Sequence, residues 1–219
     1  MSLLLEMFTY PFILRAFVVG ILVSLCAALL GVPLVLKRYS MIGDGLSHVG
    51  FGALAVASAL GLAPMAVAVP VVVVAAFLLL RLSSRGKLKG DAMIAMISTA
   101  ALAVGVIALS LSNGTTGDVN NYLFGSVLAM SESDLKLSVV LAAVVLSLFA
   151  IFYRKIFSVT FDETFARATG EKVERYNALL AFLTAITVVL GMRVMGAMLI
   201  SSLIVFPGLT AMRVFKSFR

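Results

Sequence analysis

Long runs of apolar residues constrain this chain more than any other feature of its sequence. A helix of about 20 residues is about 30 Å long, which matches the hydrocarbon core of a bilayer. Hydrophobic residues make up 62% of the chain and charged residues only 12%, so little of it suits a water-exposed surface. We therefore predict an all-α fold, a polytopic membrane helix bundle forming one domain over 1–219. The runs predict about seven spans, near 11–36, 42–60, 63–80, 92–111, 135–153, 177–192 and 196–212.

The basic residues indicate which ends of these spans face the cytoplasm. Fourteen of the 17 lysines and arginines lie in the connections 37–40, 81–90 and 153–176 and in the tail after 212. Because short cytoplasmic connections are enriched in basic residues, we predict that the N-terminus is outside and the C-terminus inside. The net charge of +7 is then a signal of topology, and we expect no nucleic-acid partner.

One acidic residue lies inside a predicted span. This residue is Asp44. The single histidine of the chain, His48, follows it four positions later. A carboxylate at bilayer depth costs about 2.5 to 3.5 kcal/mol on insertion scales unless it faces a partner or a polar cavity. Counted from Arg38 at 1.5 Å per residue, His48 lies about 15 Å into the membrane, near its midplane. This is the depth expected of a transport site.

Asp44 and His48 form a candidate site for a divalent metal ion. Side chains four residues apart share one helix face, with Cβ atoms about 5 to 6 Å apart. Mixed oxygen and nitrogen ligands suit Zn²⁺, Mn²⁺ or Fe²⁺. The alternative is a hydrogen bond between the two side chains that only stabilises the bundle. The only histidine and the only acid within a span coincide on one face, which favours the metal. Further ligands must come from carbonyl groups, water, another helix or a second subunit.

The sequence lacks a GxxxxGK[ST] phosphate-binding loop, so we do not expect the chain to bind ATP by that device. An intramembrane metalloenzyme is also unexpected, because HExxH-type sites need two histidines. The alternative to an ATP-driven transporter is a secondary transporter or a channel, in which the same two side chains carry ions or protons without ATP.

Four stretches resemble the membrane permeases of the bacterial ABC importers for zinc, manganese and iron. One of them, FDETFARATG (161–170), lies in a loop at about 157–176 and resembles the cytoplasmic coupling helix of these permeases. Because the four occur in order at plausible intervals, the resemblance covers nearly the whole chain. The stretches are LKRYSMIGDGLSHVGFGALA (36–55), NNYLFGSVLAMSESDL (120–135), FDETFARATG (161–170) and MGAMLISSLIVFPGLTAMR (195–213).

The resemblance implies roles for individual residues. Asp44 and His48 match the metal-coordinating aspartate and histidine of the family. Asp162, Ala166 and Gly170 match the acid, alanine and glycine of the loop helix that docks on the ATPase.

The resemblance also implies an assembly. The fold is expected to be like that of a type II ABC importer permease in the bacterial cytoplasmic (inner) membrane. The expected partners are a cytoplasmic ATP-binding subunit, an extracytoplasmic metal-binding protein, a second copy of this chain and the lipid bilayer. Separate subunits hydrolyse ATP, so the chain itself is not expected to be an enzyme. No permanently bound cofactor is implied, only a transported Zn, Mn or Fe ion. Family members continue beyond the position of Arg219 with one or two further spans.

Overall fold

The computed structural model describes residues 10–85, 90–112, 120–121, 123–126 and 131–215. The regular secondary structure of these residues is entirely helical, which confirms the predicted fold class. Seven helices have defined bounds within the described part of the chain. They are α1 (Pro11–Leu36), α2 (Ser40–Ala59), α3 (Pro64–Arg85), α4 (Gly90–Leu111), α5 (Glu132–Phe161), α6 (Glu163–Ala168) and α7 (Val173–Val214).

The helices match the predicted spans with three main differences, and α3 also runs five residues beyond the predicted end at 80. Among the described residues, α1, α3, α4, α5 and α7 are long and apolar enough to cross a membrane. The first difference is α2, which has 20 residues but is not among these five because it carries more glycine and polar residues. The second is α5, which is longer than the predicted span near 135–153. The third is that the last two predicted spans both lie in α7, which is interrupted within its length.

The outer surface of α1 is suited to lipid, as the predicted bilayer partner requires. Large apolar side chains recur every three or four residues and are about half exposed, as a helix face pointing at acyl chains should be. The opposite face of α1 is buried in the bundle. The exposed side chains are Leu14, Phe17, Ile21 and Leu25, and the buried ones include Val19, Val23, Cys26 and Leu30.

A tight turn joins α1 to α2. Arg38 has a φ of 59°, the left-handed conformation that usually ends a helix. Its N–H donates to the carbonyl of Val35 at 3.0 Å, and the Tyr39 N–H donates to the carbonyl of Leu34 at 2.8 Å. This pair of hydrogen bonds is the Schellman arrangement, here with arginine where glycine is usual. Because α2 begins at Ser40, the turn fixes the direction of α2 directly from the end of α1.

α7 folds back on itself at Gly196. Gly196 has a φ of 82° and a ψ of 166°, outside the helical range. The side chain of Ile200 lies against the backbone of Gly191, although nine residues of straight helix would separate them by about 13 Å. We call residues 173–195 the first arm of α7 and residues 197–214 the second arm. The two arms are therefore antiparallel.

α2 lies in the interior of the bundle. It packs extensively against α3, α4 and α7 and only slightly against α1. Most of its side chains are buried, and Phe51 is fully so. The backbone of Gly52 approaches α4 so closely that an added Cβ would lie 2.6 Å from the carbonyl oxygen of Ala101. Small residues at such crossings let membrane helices pack tightly.

Candidate metal site and coupling segment

Three polar side chains from two elements meet at the predicted metal site. The Ser201 hydroxyl, on the second arm of α7, donates to Oδ1 of Asp44 at 3.2 Å. Nε2 of His48 is 3.8 Å from the same oxygen, beyond hydrogen-bond distance. The side chain of Asp44 is 43% exposed and that of His48 20% exposed, so neither is fully buried. The structure therefore brings the two predicted residues together and adds a serine to them.

His48 has an unsatisfied nitrogen. Its Nδ1 is buried and has no hydrogen-bond partner among the described residues. A buried polar atom without a partner costs about 1 to 3 kcal/mol, so such atoms in proteins usually face a ligand or a water molecule. With the carboxylate of Asp44 on the same helix face, an imidazole free of strong hydrogen bonds is available to bind a cation.

The site offers few protein ligands. Within the described ranges, no group of three or more His, Cys, Asp or Glu side chains is placed to hold a metal ion. The Ser201 hydroxyl is a neutral oxygen and therefore a weak further ligand. A cation bound here would complete its coordination with water or carbonyl groups, an arrangement that suits passage better than permanent binding.

The backbone around Asp44 is held in place by its own helix and by α4. The Ser47 hydroxyl donates to the backbone carbonyl of Asp44 at 2.7 Å. One residue after Asp44, an added Cβ on Gly45 would lie 2.6 Å from Cγ2 of Ile94 and 3.3 Å from Oγ of Ser98. This close approach fixes the depth and rotation of α2, and hence the direction of the Asp44 carboxylate.

The predicted coupling residues shape a short helix: one caps it, one is buried beneath it and one follows its end. The Asp162 carboxylate caps α6 by accepting from the Phe165 N–H at 2.9 Å. Ala166 is fully buried in a cluster with Val159 and Val173. Gly170 follows α6 with a φ of 87°, the left-handed conformation that glycine adopts at little cost.

The exposed side of α6 carries an aromatic ring. Phe165 is 62% exposed, next to the buried Ala166. The charged pair Arg167 and Glu174, with nitrogen and oxygen 2.9 Å apart, lies on the surface nearby. An exposed aromatic residue beside charged groups is typical of a protein-binding surface.

A buried ammonium group links α6 to two other helices. Nζ of Lys37 donates to Oε1 of Glu163 at 2.5 Å and to Oδ1 of Asn177 at 2.7 Å. The Asn177 amide also donates to Oε1 of Glu163, at 3.1 Å. Burial by itself raises the pKa of Glu163, but these hydrogen bonds and the positive charge of Lys37 bring it below its usual value. Burial lowers the pKa of Lys37, and Glu163 opposes this effect.

Sequence reasoning did not identify Ser201, Lys37, Glu163 or Asn177 as functional residues. Ser201 lies in the stretch 195–213, which was singled out only as a late span. Serine is common in apolar helices, where its hydroxyl usually bonds to its own backbone. No signal in the sequence distinguishes Ser201 from the others, because its approach to Asp44 depends on the reversal of α7.

Comparison with known proteins establishes the family. The model of the ABC 3 transport family matches residues 9–219. The chain belongs to the ABC 3 transport family. This membership confirms the resemblance inferred from the four sequence stretches, and it identifies the helical bundle as a membrane transport fold.

Individual members of the ABC 3 transport family show how far the similarity extends. The manganese transport system membrane protein MntC of Halalkalibacterium halodurans is 30% identical over 206 residues, which are 94% of this chain and 70% of that protein. The high-affinity zinc uptake system membrane protein ZnuB of Haemophilus influenzae is 30% identical over 93% of this chain and 78% of its own length. The solved structure of PsaBC from Streptococcus pneumoniae in complex with Fab superimposes with a TM-score of 0.83 and 28% identity, covering 95% of this chain and 75% of the PsaBC chain.

Proposed function

We propose that this chain is the permease subunit of an ATP-driven importer for a divalent metal ion, either zinc, manganese or ferrous iron. The observation that carries the proposal is the convergence of Asp44, His48 and Ser201 between α2 and the second arm of α7. Family membership and relatives named for manganese and zinc transport support it. The ion passes this site on its way across the membrane.

The chemistry of the site suits a transported ion. The carboxylate of Asp44 supplies a negative charge and the imidazole of His48 a neutral nitrogen, a pair that selects a divalent metal over Na⁺ or K⁺. Two strong ligands bind the ion less tightly than the four of a structural zinc site. The ion can therefore be released when the bundle opens to the other side.

The proposed assembly assigns energy supply and metal delivery to other proteins. A cytoplasmic ATP-binding subunit docks on α6, and an extracytoplasmic metal-binding protein delivers the ion to the outer side. Two copies of this chain form the permease. The basic connections 37–40 and 153–176 support a cytoplasmic position for α6, and Asp162, Ala166 and Gly170 set its shape.

The energy source is tested by uptake into proteoliposomes that contain this chain with its ATP-binding subunit. Zn²⁺, Mn²⁺ and Fe²⁺ are offered separately, with the metal-binding protein on the outer side. We expect uptake of at least one metal that requires ATP hydrolysis and is unchanged by ionophores that collapse ion gradients. Uptake without ATP that disappears when the gradients collapse would contradict the proposal and indicate a secondary transporter.

We predict that Phe165→Ala weakens the association with the ATP-binding subunit. An aromatic residue that is a hot spot of an interface contributes about 2 kcal/mol or more, so we expect at least about thirtyfold weaker binding. The measurement is the amount of ATP-binding subunit that co-purifies at increasing dilution. Phe17→Ala is the matched control, since Phe17 is similarly exposed but lies on the lipid-facing surface of α1. Equal retention of the subunit by both variants would contradict the docking role of α6.

A further inference from the structure

Lys37 occupies an unusual position at the cytoplasmic end of α1. Its side chain is only 3% exposed, although lysine is almost never buried without a partner. Its ammonium group is held by Glu163 of α6 and by Asn177 in the first arm of α7. Three helical elements therefore meet at one charged atom. Removing one partner from such a buried pair leaves an uncompensated charge, so the contact strongly resists separation.

The chain continues from Lys37 directly into the helix that carries the metal site. Arg38 and Tyr39 form the tight turn, with their N–H groups bonded back to α1, and α2 begins at the next residue. The turn contains no flexible loop that could absorb a displacement. A movement of the Lys37 side chain is consequently transmitted to the first turn of α2, and Asp44 lies in the turn that follows it.

The opposite end of this contact is α6. Glu163 is 43% exposed and lies in the first turn of α6, between the capping Asp162 and the exposed Phe165. When a partner protein pushes or pulls on Phe165, Glu163 moves with the same short helix. The other ion pairs of this region act differently. Lys155 pairs with Glu171, and Arg167 pairs with Glu174, so both connect parts of the 153–176 segment to each other and not to α1.

We propose that Lys37 is a positioning residue that transmits the movement of α6 to α2 and thereby links the ATP-binding subunit to the metal site. This inference rests on the proposed ATP-driven function. The Lys37–Glu163 contact is a rigid connection between α6 and the α1–α2 turn. Lys37 acts through Glu163 on one side and through the turn on the other.

The role of the Lys37–Glu163 contact is tested by measuring metal uptake and ATP hydrolysis together in proteoliposomes containing the complete transporter. Lys37→Met keeps the length of the side chain and removes its charge. We expect ATP hydrolysis to continue while the number of ions transported per ATP falls at least about fivefold, the lower end of typical couplings between two sites. Lys155→Met is the matched control, because it breaks an ion pair in the same region that does not reach α1, and it should leave this ratio within about twofold.

A second variant keeps the proposal falsifiable if Lys37→Met fails to fold. Glu163→Gln changes the half-exposed partner with almost no change in size, and it should lower the transport ratio similarly. Because both changes remove the same charge pairing between Lys37 and Glu163, the double variant should be no worse than the more severe single variant. An unchanged number of ions transported per ATP in Glu163→Gln, or effects that multiply in the double variant, would contradict the proposed role of this contact. Absence of ATP-dependent uptake in the unaltered protein would instead refute the proposed function itself.

Discussion

Asp44→Asn is expected to lower metal uptake at least about a hundredfold while the protein still inserts into the membrane. Groups that only support metal ligands typically change affinity or activity by about 10- to 100-fold when replaced, and a charged ligand should matter more. Asparagine keeps the size of the side chain, and its carbonyl can still accept from Ser201. The loss therefore reports the missing charge and not a change of packing.

The same substitution distinguishes a metal-binding role of Asp44 from a role that only stabilises the bundle. If Asp44 only stabilises the bundle through His48, the loss of its charge should leave uptake proportional to the amount of folded protein. A metal ligand predicts the opposite, because the substitution removes a negative charge from a membrane protein but keeps the size and the polarity of the side chain, so folding should not suffer. We expect normal or increased amounts of folded protein with almost no uptake. Uptake per folded molecule equal to that of the unaltered protein would contradict the metal role.

Control variants define the specificity of this result. Glu132→Gln removes an exposed carboxylate whose pair with Lys136 lies far from the site in sequence, and uptake should be unchanged. Ser201→Ala should lower uptake less than Asp44→Asn, by about tenfold or less, because it removes one neutral oxygen. Ser24→Ala is its matched control, since the Ser24 hydroxyl bonds only to the backbone of its own helix at Ile21 in the described contacts.

Gly196→Ala is expected to destabilise the fold by about 3 kcal/mol or more. The φ of 82° and ψ of 166° lie in a region that is essentially restricted to glycine, where other residues cost about 1 to 3 kcal/mol. An added Cβ would also lie 2.2 Å from the carbonyl oxygen of Leu123 and 2.5 Å from the backbone nitrogen of Gly125. Because these are backbone atoms, they cannot rotate away as a side chain could. The reversal of α7, and with it the approach of Ser201 to Asp44, should be lost.

The single cysteine provides a direct readout of this destabilisation. Cys26 is fully buried, so a thiol-reactive dye labels it only when the bundle opens on heating. Gly61→Ala is the control, because Gly61 has a φ of 67° but open space around the new Cβ. It should cost only the left-handed conformation, about 1 to 2 kcal/mol. If Gly196→Ala and Gly61→Ala shift the labelling temperature equally, the close crossing at Gly196 does not hold the reversal of α7.

Much of the fold could be predicted from local sequence because the membrane imposes a simple length rule. The apolar runs at 11–36 and 92–111 coincide with α1 and α4 almost to the residue. The extension of α5 to Phe161 was missed because Arg154 and Lys155 interrupt the apolar pattern, although charges at the cytoplasmic end of a helix need not terminate it. The reversal of α7 was anticipated as two spans, but only the structure identifies Gly196 as its pivot.

The candidate site was predictable only in part, for a physical reason. Asp44 and His48 could be found because polar residues inside a membrane are costly and rare, so their presence in one span carries information. Ser201 and Lys37 gave no such signal. A serine costs little in an apolar helix, and a lysine at a helix end is ordinary. Their roles depend on contacts with residues 157 and 126 positions away in sequence, which only the folded arrangement of helices creates.

The most direct test of the metal site is anomalous scattering at the zinc edge from crystals of the complete transporter loaded with Zn²⁺. Zinc is a sensitive probe, since it binds nitrogen and oxygen ligands more tightly than Mn²⁺ or Fe²⁺. We predict a peak about 2.0 to 2.2 Å from an oxygen of Asp44 and a ring nitrogen of His48, which is lost in Asp44→Asn. Zinc bound elsewhere along the pathway, with no peak at these two side chains, would contradict the assignment.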